Sequence, residues 1–161
     1  MIQVLRAGRL HGAGMAEILN EIIDQGGTTA LTEHVTASQL GNRIAGGGDK
    51  SIWHVAEDAK GQVMGFQWIE PADYLPPEAA EIATFARIGY TGHGVGSALF
   101  RATETAARKV GYAWINANIR ADNFGGLAYY QSRGFEDYGR KTGFKMANGQ
   151  VVDKVLKRYD L

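Results

Sequence analysis

The segment TGHGVGSALF, Thr91 to Phe100, constrains the fold of this 161-residue chain more than any other. It follows an apolar stretch, Glu81 to Arg87, whose pattern predicts a β-strand. It precedes an amphipathic pattern that predicts a helix ending at Gly111. Three alternating glycines between a strand and a helix indicate a tight connection, so we expect a mixed fold of strands and helices.

The same glycines indicate a phosphate site. Backbone N–H groups from about Gly92 to Ser97 should converge at the positive end of the helix dipole, where phosphate groups bind. Glycine removes the Cβ atoms that would keep a pyrophosphate from the backbone. The alternative is a turn that only connects strand to helix. The lysine of a Walker loop and the GxGxxG spacing of a dinucleotide motif are both missing, so the ligand should carry phosphate without being ATP or NAD.

The other segments predict alternating elements without repeats or linkers. We expect a strand at Ile2 to Ala7, a helix with an apolar stripe from Met15 to Ile23, and a second helix opened by a capping box of Thr36 and Gln39. The segments SIWHVAED and GQVMGFQWIE predict a hairpin, AWINANI predicts a further strand, a helix begins near Asn123, and two strands close the chain. The predicted class is α/β (α+β), a single mixed, mostly antiparallel sheet of six to seven strands flanked by about four helices. Residues 1–161 are expected to form one domain.

Composition excludes several classes of function. Lysine plus arginine and aspartate plus glutamate number 17 each, so no net field attracts nucleic acid or anionic lipid. The absence of cysteine excludes disulfides, thiolate metal sites and a cysteine nucleophile. The histidines show no metal-ligand spacing, so no metal is expected. No segment is apolar enough for a signal peptide or membrane span, so we expect a soluble cytoplasmic protein with no membrane partner.

Two motifs resemble the GNAT superfamily of acyl-CoA-dependent N-acetyltransferases. The pyrophosphate pattern Q/R-x-x-G-x-G/A matches Thr91 to Gly96, except that Thr91 replaces glutamine or arginine. A second pattern is matched in NFGGLAYYQSRGF by Asn123, Gly126, Tyr130, Gly134 and Phe135. The resemblance covers most of the chain and implies the GNAT fold and acetyl-CoA as cofactor. The implied cofactor-binding residues are Phe85, Ala86, Arg87, Thr91, Gly92, His93, Gly94, Val95, Gly96, Ser97, Asn123, Gly126 and Tyr130.

Within the superfamily the chain is most similar to the phosphinothricin-type acetyltransferases, which acetylate small amino-acid-like amines. The similar stretches are GGTTALTEHVTASQL, EIATFARIGYTGHGVG and the tail residues Gly143, Phe144, Lys145, Gly149 and Asp153. The resemblance therefore implies a small-molecule amine as acceptor, an amino acid or an analogue such as phosphinothricin or methionine sulfoximine.

Glu81 is the candidate general base. An alkylammonium with a pKa near ~10 is mostly charged at neutral pH, so a base must remove a proton directly or through water. Glu81 lies at the start of the strand leading to the glycine loop and should share a face with Ala83 and Phe85. A glutamate at this place is the base in the resembling branch. A solvated structural carboxylate is the alternative, and Glu78 and Glu70 could substitute.

Tyr130 is the candidate general acid, because a phenol of pKa ~10 can protonate a departing thiolate of similar basicity. Family position favours Tyr130 over Tyr129, and core packing is the alternative. The resemblance implies that a backbone N–H of the preceding strand holds the oxyanion. Two other functions stay open: acetylation of a protein or peptide amino terminus, and a non-catalytic acyl-CoA-binding module. A homodimer is also left open.

Overall fold

A computed structural model describes residues 1–90 and 92–161, so the predicted cofactor contact of Thr91 lies outside the described residues. A 3₁₀ turn at Arg9–His11 precedes the first helix. The elements in chain order are β1 (Gln3–Arg6), α1 (Gly12–Gln25), α2 (Ala37–Gly46), β2 (Ile52–Glu57), β3 (Val63–Glu70), β4 (Ala79–Ala86), α3 (Val95–Val110), β5 (Trp114–Arg120), α4 (Phe124–Ser132), β6 (Glu136–Lys145) and β7 (Val151–Asp160).

The strands form one sheet in the order β1-β2-β3-β4-β5-β7-β6. Among the described residues, β4 and β5 are parallel, and every other neighbouring pair is antiparallel. Seven strands and four α-helices confirm the predicted mixed, mostly antiparallel sheet flanked by about four helices.

Helices α1 and α2 cover one face of the sheet. The apolar stripe of α1, including Met15, Ile18 and Leu19, is buried against Trp53 and Phe66. The predicted capping box begins α2: the Gln39 N–H donates to Thr36 Oγ1 at 3.1 Å, and the Thr36 N–H donates to Gln39 Oε1 at 2.8 Å. Both reciprocal bonds satisfy N–H groups that the first helical turn cannot, which fixes where the helix begins.

Helices α3 and α4 cover the opposite face. Phe100 and Ala107 of α3 pack with Ile115, Tyr130 and Phe135 in a second buried cluster. Because side chains alternate along a strand, β4 supplies Ala80 and Ile82 to this cluster, and Ala83 and Phe85 to the α1/α2 side.

The parallel pair β4 and β5 separates before either strand ends. Its register joins Ala79–Ile82 to Trp114–Ala117, yet β4 continues to Ala86 and β5 to Arg120. Beyond Ile82 the edge of β4 that faces β5 therefore has no ladder partner in the described chain. This opened edge leads directly into the loop before α3.

Within the parts of the chain that the structure covers, none of the helices combines the length and apolarity that a membrane crossing requires. The described residues also contain no group of three or more His, Asp or Glu side chains placed to hold a metal ion.

Candidate active site

The loop before α3 ends in an uncapped helix N-terminus. Gly94 is the N-cap residue with φ of +82°, and among the described residues no side chain accepts a hydrogen bond from the first turn of α3. The N–H groups at this end of α3 have no intrahelical partner, and the helix dipole adds positive potential. Gly92 also has a positive φ of +85°, and a Cβ at Gly92 or Gly94 would meet no described atom within 4 Å. The predicted phosphate-binding geometry is therefore available, with His93 exposed beside it.

The third glycine of the loop has a different role. A Cβ on Gly96 would lie 2.6 Å from Cε1 of Tyr129, so the tyrosine ring fills the space that a side chain would need. The Tyr129 hydroxyl donates to the Gly96 carbonyl at 2.7 Å and accepts from Gln67 Nε2 at 3.1 Å. The absence of a Cβ on Gly96 thus makes room for Tyr129, and a contact of Gly96 with pyrophosphate stays a prediction. Burial raises the pKa of Tyr129 to about 12.

Cationic side chains stand beside the first turn of α3. A cavity of about 320 Å³ is bounded by Ser97, Arg101 and Arg133, together with Phe100, Glu104, Ser132 and Tyr159. Arg133 Nη1 donates to Ser97 Oγ at 2.8 Å. The Arg133 guanidinium therefore lies against the first turn of α3, while Arg101 and Glu104 line the same cavity from later turns. A guanidinium beside a helix N-terminus favours an anionic ligand.

Arg87, predicted to contact the cofactor, is turned towards the protein. Its N–H donates to the Met64 carbonyl at 2.8 Å, and its Nε and Nη2 donate to the Val63 carbonyl at 3.1 and 2.8 Å. Its Nη1 donates to Glu17, and its carbonyl accepts from the Tyr90 N–H at 3.1 Å. These contacts anchor the end of β4 and engage the Arg87 guanidinium within the protein, and a cofactor contact of Arg87 stays a prediction.

Phe85 and Ala86 precede Arg87 on the opened edge. N–H directions alternate along a strand, and the Arg87 N–H points to β3. The N–H groups of Thr84 and Ala86 therefore point towards the gap that β5 leaves. The Phe85 ring packs against Phe66 with a centroid distance of 5.1 Å. Only the backbone of Phe85 therefore lies along the opened edge. Backbone donors are thus free where an extended ligand could pair with β4.

Asn123 and Gly126 form the N-terminal cap of α4. Asn123 Oδ1 accepts from the Gly126 N–H at 2.9 Å, and its Nδ2 donates to the Thr28 carbonyl at 3.1 Å. A Cβ on Gly126 would lie 2.5 Å from Asn123 Nδ2, so the cap requires glycine there. The contacts of both residues are structural ones, and a direct cofactor contact stays a prediction.

Glu81 lies at the centre of a polar cluster on the α1/α2 face of the sheet. Its Oε1 accepts from Asn116 Nδ2 at 2.7 Å, and its Oε2 accepts from the Tyr74 hydroxyl. Asn116 is fully buried, and its Oδ1 accepts from Tyr138. Asn118 Nδ2 reaches the Tyr74 hydroxyl at 3.3 Å. We define Tyr74, Glu81, Asn116, Asn118 and Tyr138 as the Glu81 cluster.

Burial raises the pKa of Glu81, although the hydrogen bonds from Tyr74 and Asn116 and the charges of Lys154 and Lys141 oppose the rise. The net direction is upwards because desolvation disfavours the carboxylate most. A carboxylate with a raised pKa is a stronger base than an exposed one, which suits proton removal near neutral pH. Of the two alternatives, Glu70 forms an ion pair with Arg43, and Glu78 is exposed.

Tyr130 lies on the other face of the sheet from the Glu81 cluster. Its hydroxyl is 2.8 Å from Thr84 Oγ1, and its ring is packed edge-on against Phe135 at a centroid distance of 5.1 Å. The residue is 7% exposed, and burial raises the pKa of its hydroxyl above the ordinary tyrosine value. The phenol is thus both a core residue and a proton-bearing group next to the opened edge of β4.

Several residues of the site escaped sequence analysis. Tyr74 comes from the loop ADYLPP, where no periodic pattern marks it, and Tyr138 comes from an edge strand. Gln67 is fully buried and joins Thr84 to Tyr129 through its Nε2. A glutamine inside an otherwise apolar strand was the one signal that could have indicated it. Trp114, at the start of β5, is half-buried, and the Arg158 guanidinium lies over its ring.

Comparison with known proteins agrees with this geometry. The model of the acetyltransferase (GNAT) family matches residues 15–135. No curated protein matches the chain. A crystal structure assigned provisionally as a phosphinothricin N-acetyltransferase is similar at 25% identity and a TM-score of 0.86, covering 100% of this chain and 99% of that one.

Two further solved structures share the fold at lower identity. A ribosomal-protein-alanine N-acetyltransferase from Brucella melitensis has 22% identity and a TM-score of 0.87, with 99% of each chain covered. A phosphinothricin acetyltransferase from Sinorhizobium meliloti in complex with AcCoA has 19% identity and a TM-score of 0.87, covering 99% of this chain and 88% of that one.

Proposed function

The chain belongs to the acetyltransferase (GNAT) family, and from this premise we propose that it transfers an acetyl group from acetyl-CoA to the primary amine of a small amino acid or analogue. Residues 1–161 act as one acetyltransferase domain in this proposal. The observation that carries it is the half-buried Glu81 carboxylate, held by Tyr74 and Asn116 beside the opened edge of β4.

The residues present fit acetyl-CoA. The uncapped N-terminus of α3 and the guanidinium groups of Arg101 and Arg133 suit the phosphates, and the unpaired edge of β4 suits an extended amide-containing arm. Bound acetyl-CoA would supply the acetyl group as an activated thioester. The N–H groups of Thr84 and Ala86 are candidates for holding the thioester oxygen.

Glu81 removes the proton of the acceptor ammonium, directly or through a water molecule. Its two oxygens are oriented by Tyr74 and Asn116, so the carboxylate is held in one position. The raised pKa makes the carboxylate a stronger base than an exposed glutamate.

Tyr130 donates a proton to the departing sulfur. Its raised pKa keeps the phenol protonated throughout the neutral range, as a proton donor requires. Thr84 orients the hydroxyl from β4 itself, so the donor stands beside the edge along which the cofactor arm would lie.

A peptide amino terminus is the second candidate acceptor, since a relative of similar fold is named as a ribosomal-protein-alanine N-acetyltransferase. The Glu81 cluster favours the small molecule, because Tyr74 lies across the carboxylate and narrows its approach. A non-catalytic acyl-CoA-binding module would have no use for the oriented Glu81 and Tyr130.

Two measurements test the proposal. Coenzyme A at a hundredfold excess over its dissociation constant should stabilise the protein by about 2.7 kcal/mol, measured as a thermal shift. A thiol-release screen with acetyl-CoA should then find turnover with amino acids or sulfoximines above that with polyamines and short peptides. No thermal shift at millimolar coenzyme A contradicts the cofactor, and selective turnover of peptides contradicts the acceptor.

A further inference from the structure

A chain of hydrogen bonds runs on the α3/α4 face of the sheet from the start of α3 to the Tyr130 hydroxyl. The Tyr129 hydroxyl lies 2.7 Å from the Gly96 carbonyl and 3.1 Å from Gln67 Nε2. Gln67 Nε2 also lies 2.9 Å from Thr84 Oγ1, which in turn lies 2.8 Å from the Tyr130 hydroxyl. Gln67 and Thr84 are direct neighbours, because the register pairs them across β3 and β4. The chain therefore ends at the candidate general acid.

The Gly96 carbonyl fixes the direction of these hydrogen bonds. A carbonyl oxygen can only accept, so the single hydroxyl proton of Tyr129 is used on Gly96. Tyr129 can then only accept from Gln67, which requires the NH₂ group of the amide at this position. The second proton of Nε2 goes to Thr84. Gln67 Oε1 is left buried without a partner in the described chain, so the neighbours of Gln67 impose this orientation of its amide.

The same count of donors leaves the Thr84 proton free to bind Tyr130. Thr84 Oγ1 accepts from Gln67, and within the described chain its other hydrogen-bond partner is the Tyr130 hydroxyl. The Tyr130 hydroxyl has no partner there except Thr84, and its ring is packed in the apolar cluster that includes Ile115 and Phe135. A negative charge on the Tyr130 oxygen would therefore have one side-chain donor in the protein, the Thr84 hydroxyl.

Proton donation by Tyr130 creates such a charge. When the phenol protonates the departing sulfur, its O–H bond breaks, an S–H bond forms, and the negative charge passes to the phenol oxygen until a solvent proton replaces the one given. The phenol oxygen can then only accept, so Thr84 donates to it, and the bond from Gln67 polarises the Thr84 hydroxyl. Burial raises the pKa of Tyr130, and the Thr84 hydrogen bond opposes that rise.

We infer that Gln67 is a positioning residue of the acetyl transfer, which acts through Thr84 to stabilise the Tyr130 oxygen while the phenol gives its proton to the leaving sulfur. This inference rests on the proposed function and adds to the acid a support that lies on β3, one strand away from the opened edge of β4. It also explains why a fully buried glutamine interrupts an otherwise apolar strand.

A double-mutant cycle separates this role from a structural one. Gln67→Met keeps the length of the side chain and removes both donors, so it should lower kcat about tenfold. The affinity for coenzyme A, measured by calorimetry, should not change, because Tyr129 keeps its bond to Gly96. In Tyr130→Phe, which already lacks the acid, adding Gln67→Met should lower kcat no further. A loss caused by disturbed packing would appear in both backgrounds.

A second measurement needs neither cofactor nor acceptor. Replacement of Tyr130 by 2,3,5-trifluorotyrosine gives a more acidic phenol, whose ionisation in the unliganded protein can be followed by fluorine NMR. Gln67→Met should raise the pH at which this phenol ionises, because Thr84 then stabilises the charged form less. Thr84→Val, which keeps the shape of Thr84 and removes its hydroxyl, should raise it as well. Thr84→Ser retains the hydroxyl and should leave it near the wild-type value.

Thr103→Val is the matched control, because Thr103 is buried on α3 and its Oγ1 has no hydrogen-bond partner in the described chain. It removes a buried hydroxyl that is not part of the hydrogen-bonded chain, so it should change neither kcat nor the fluorotyrosine titration. Thermal melting of all variants checks folding. If Gln67→Met does not fold, Thr84→Val replaces it in the cycle, since it removes the bond to Tyr130 from a half-exposed position.

A further tenfold loss of kcat when Gln67→Met is added to Tyr130→Phe would overturn the inference. An unchanged kcat in Gln67→Met would also overturn it, as would a fluorotyrosine titration that Gln67→Met leaves unchanged. In each of these cases the proposed function would stand. Failure to bind coenzyme A, or transfer to no amine, would instead contradict the proposed function, and the titration would still decide whether Gln67 acts on Tyr130.

Discussion

The Tyr130 hydroxyl lies 2.8 Å from Oγ1 of Thr84, three positions beyond Glu81 on β4. Side chains on a strand alternate, so Thr84 and Glu81 point to opposite faces of the sheet. The candidate acid and the candidate base therefore reach the opened edge of β4 from opposite faces. A thioester lying along that edge would have its sulfur on the Tyr130 side and its acceptor on the Glu81 side.

Glu81→Gln should lower turnover by about 10² to 10⁴, because glutamine keeps the shape but cannot accept a proton. The deficit should shrink as pH rises from 6.5 to 9.5, since more of the amine is then already neutral. The measurement is the turnover number of the wild type and of Glu81→Gln by steady-state kinetics across this pH range. Glu78→Gln is the control. A deficit that is constant with pH and accompanied by lower thermal stability would identify a structural glutamate.

Tyr74→Phe should move the acid limb of the kcat/KM profile to higher pH. The Tyr74 hydroxyl donates to the Glu81 carboxylate and so lowers its pKa against the rise caused by burial. Removing the donor lets the pKa of Glu81 rise further, so the base becomes protonated at a higher pH. An unshifted limb would show that the titration belongs to another group.

The two adjacent tyrosines should separate in their effects. Tyr130→Phe removes a proton donor and should lower turnover by about 10- to 100-fold with little change in coenzyme A affinity. Tyr129→Phe removes the bond to the Gly96 carbonyl and should weaken coenzyme A binding more than it lowers turnover. Calorimetry gives the coenzyme A affinity of both variants, and kinetic assays give their turnover numbers. An unchanged turnover number in Tyr130→Phe would show that Tyr130 only packs in the core.

Gly94→Val should abolish coenzyme A binding, whereas Gly96→Ala should lower the stability of the fold. At Gly94 the cost comes from the φ of +82° and from the branch entering the phosphate site, so the coenzyme A shift should disappear. At Gly96 the cost comes from the clash with Tyr129, so Tyr129→Leu should restore part of the lost stability in the double variant. Thermal melts with and without coenzyme A compare the wild type, the three single variants and the double variant. Additive losses would contradict the proposed clash.

His54 should make the protein less stable in mild acid. Burial, and secondarily Arg6, lowers the pKa of His54 from 6.5 to about 4. The unfolded chain takes up a proton below pH 6.5 that the folded protein resists until about pH 4, so stability is full above 6.5 and falls as pH drops towards 4. His54→Leu should remove this part of the loss, about 2 kcal/mol, in urea unfolding from pH 7 to 4.5. His34→Leu is the control, because His34 is exposed. An equal change in the pH dependence of stability in His34→Leu would contradict the role given to His54.

Local sequence determined the elements of this fold and the outline of its cofactor loop. The α1 stripe, the Thr36 capping box and the glycines before α3 act over a few residues, so their periodicity and backbone preferences can be read along the chain. The same holds for Asn123 and Gly126, although their contacts belong to a helix cap. Glu81 could be named as a candidate because it begins the strand that leads to the loop and because a glutamate stands at this place in the resembling branch.

Only the tertiary structure decided what surrounds that glutamate. Tyr74 and Asn116 are distant from each other in sequence, and they meet at Glu81 because β4 pairs in parallel with β5 while the β3–β4 loop folds over the edge. The inward turn of Arg87 likewise depends on carbonyl groups of β3. Hydrogen bonds and burial between distant segments produce no periodic pattern in the sequence. The helices and strands could therefore be predicted, whereas the surroundings of Glu81 depended on how these elements pack.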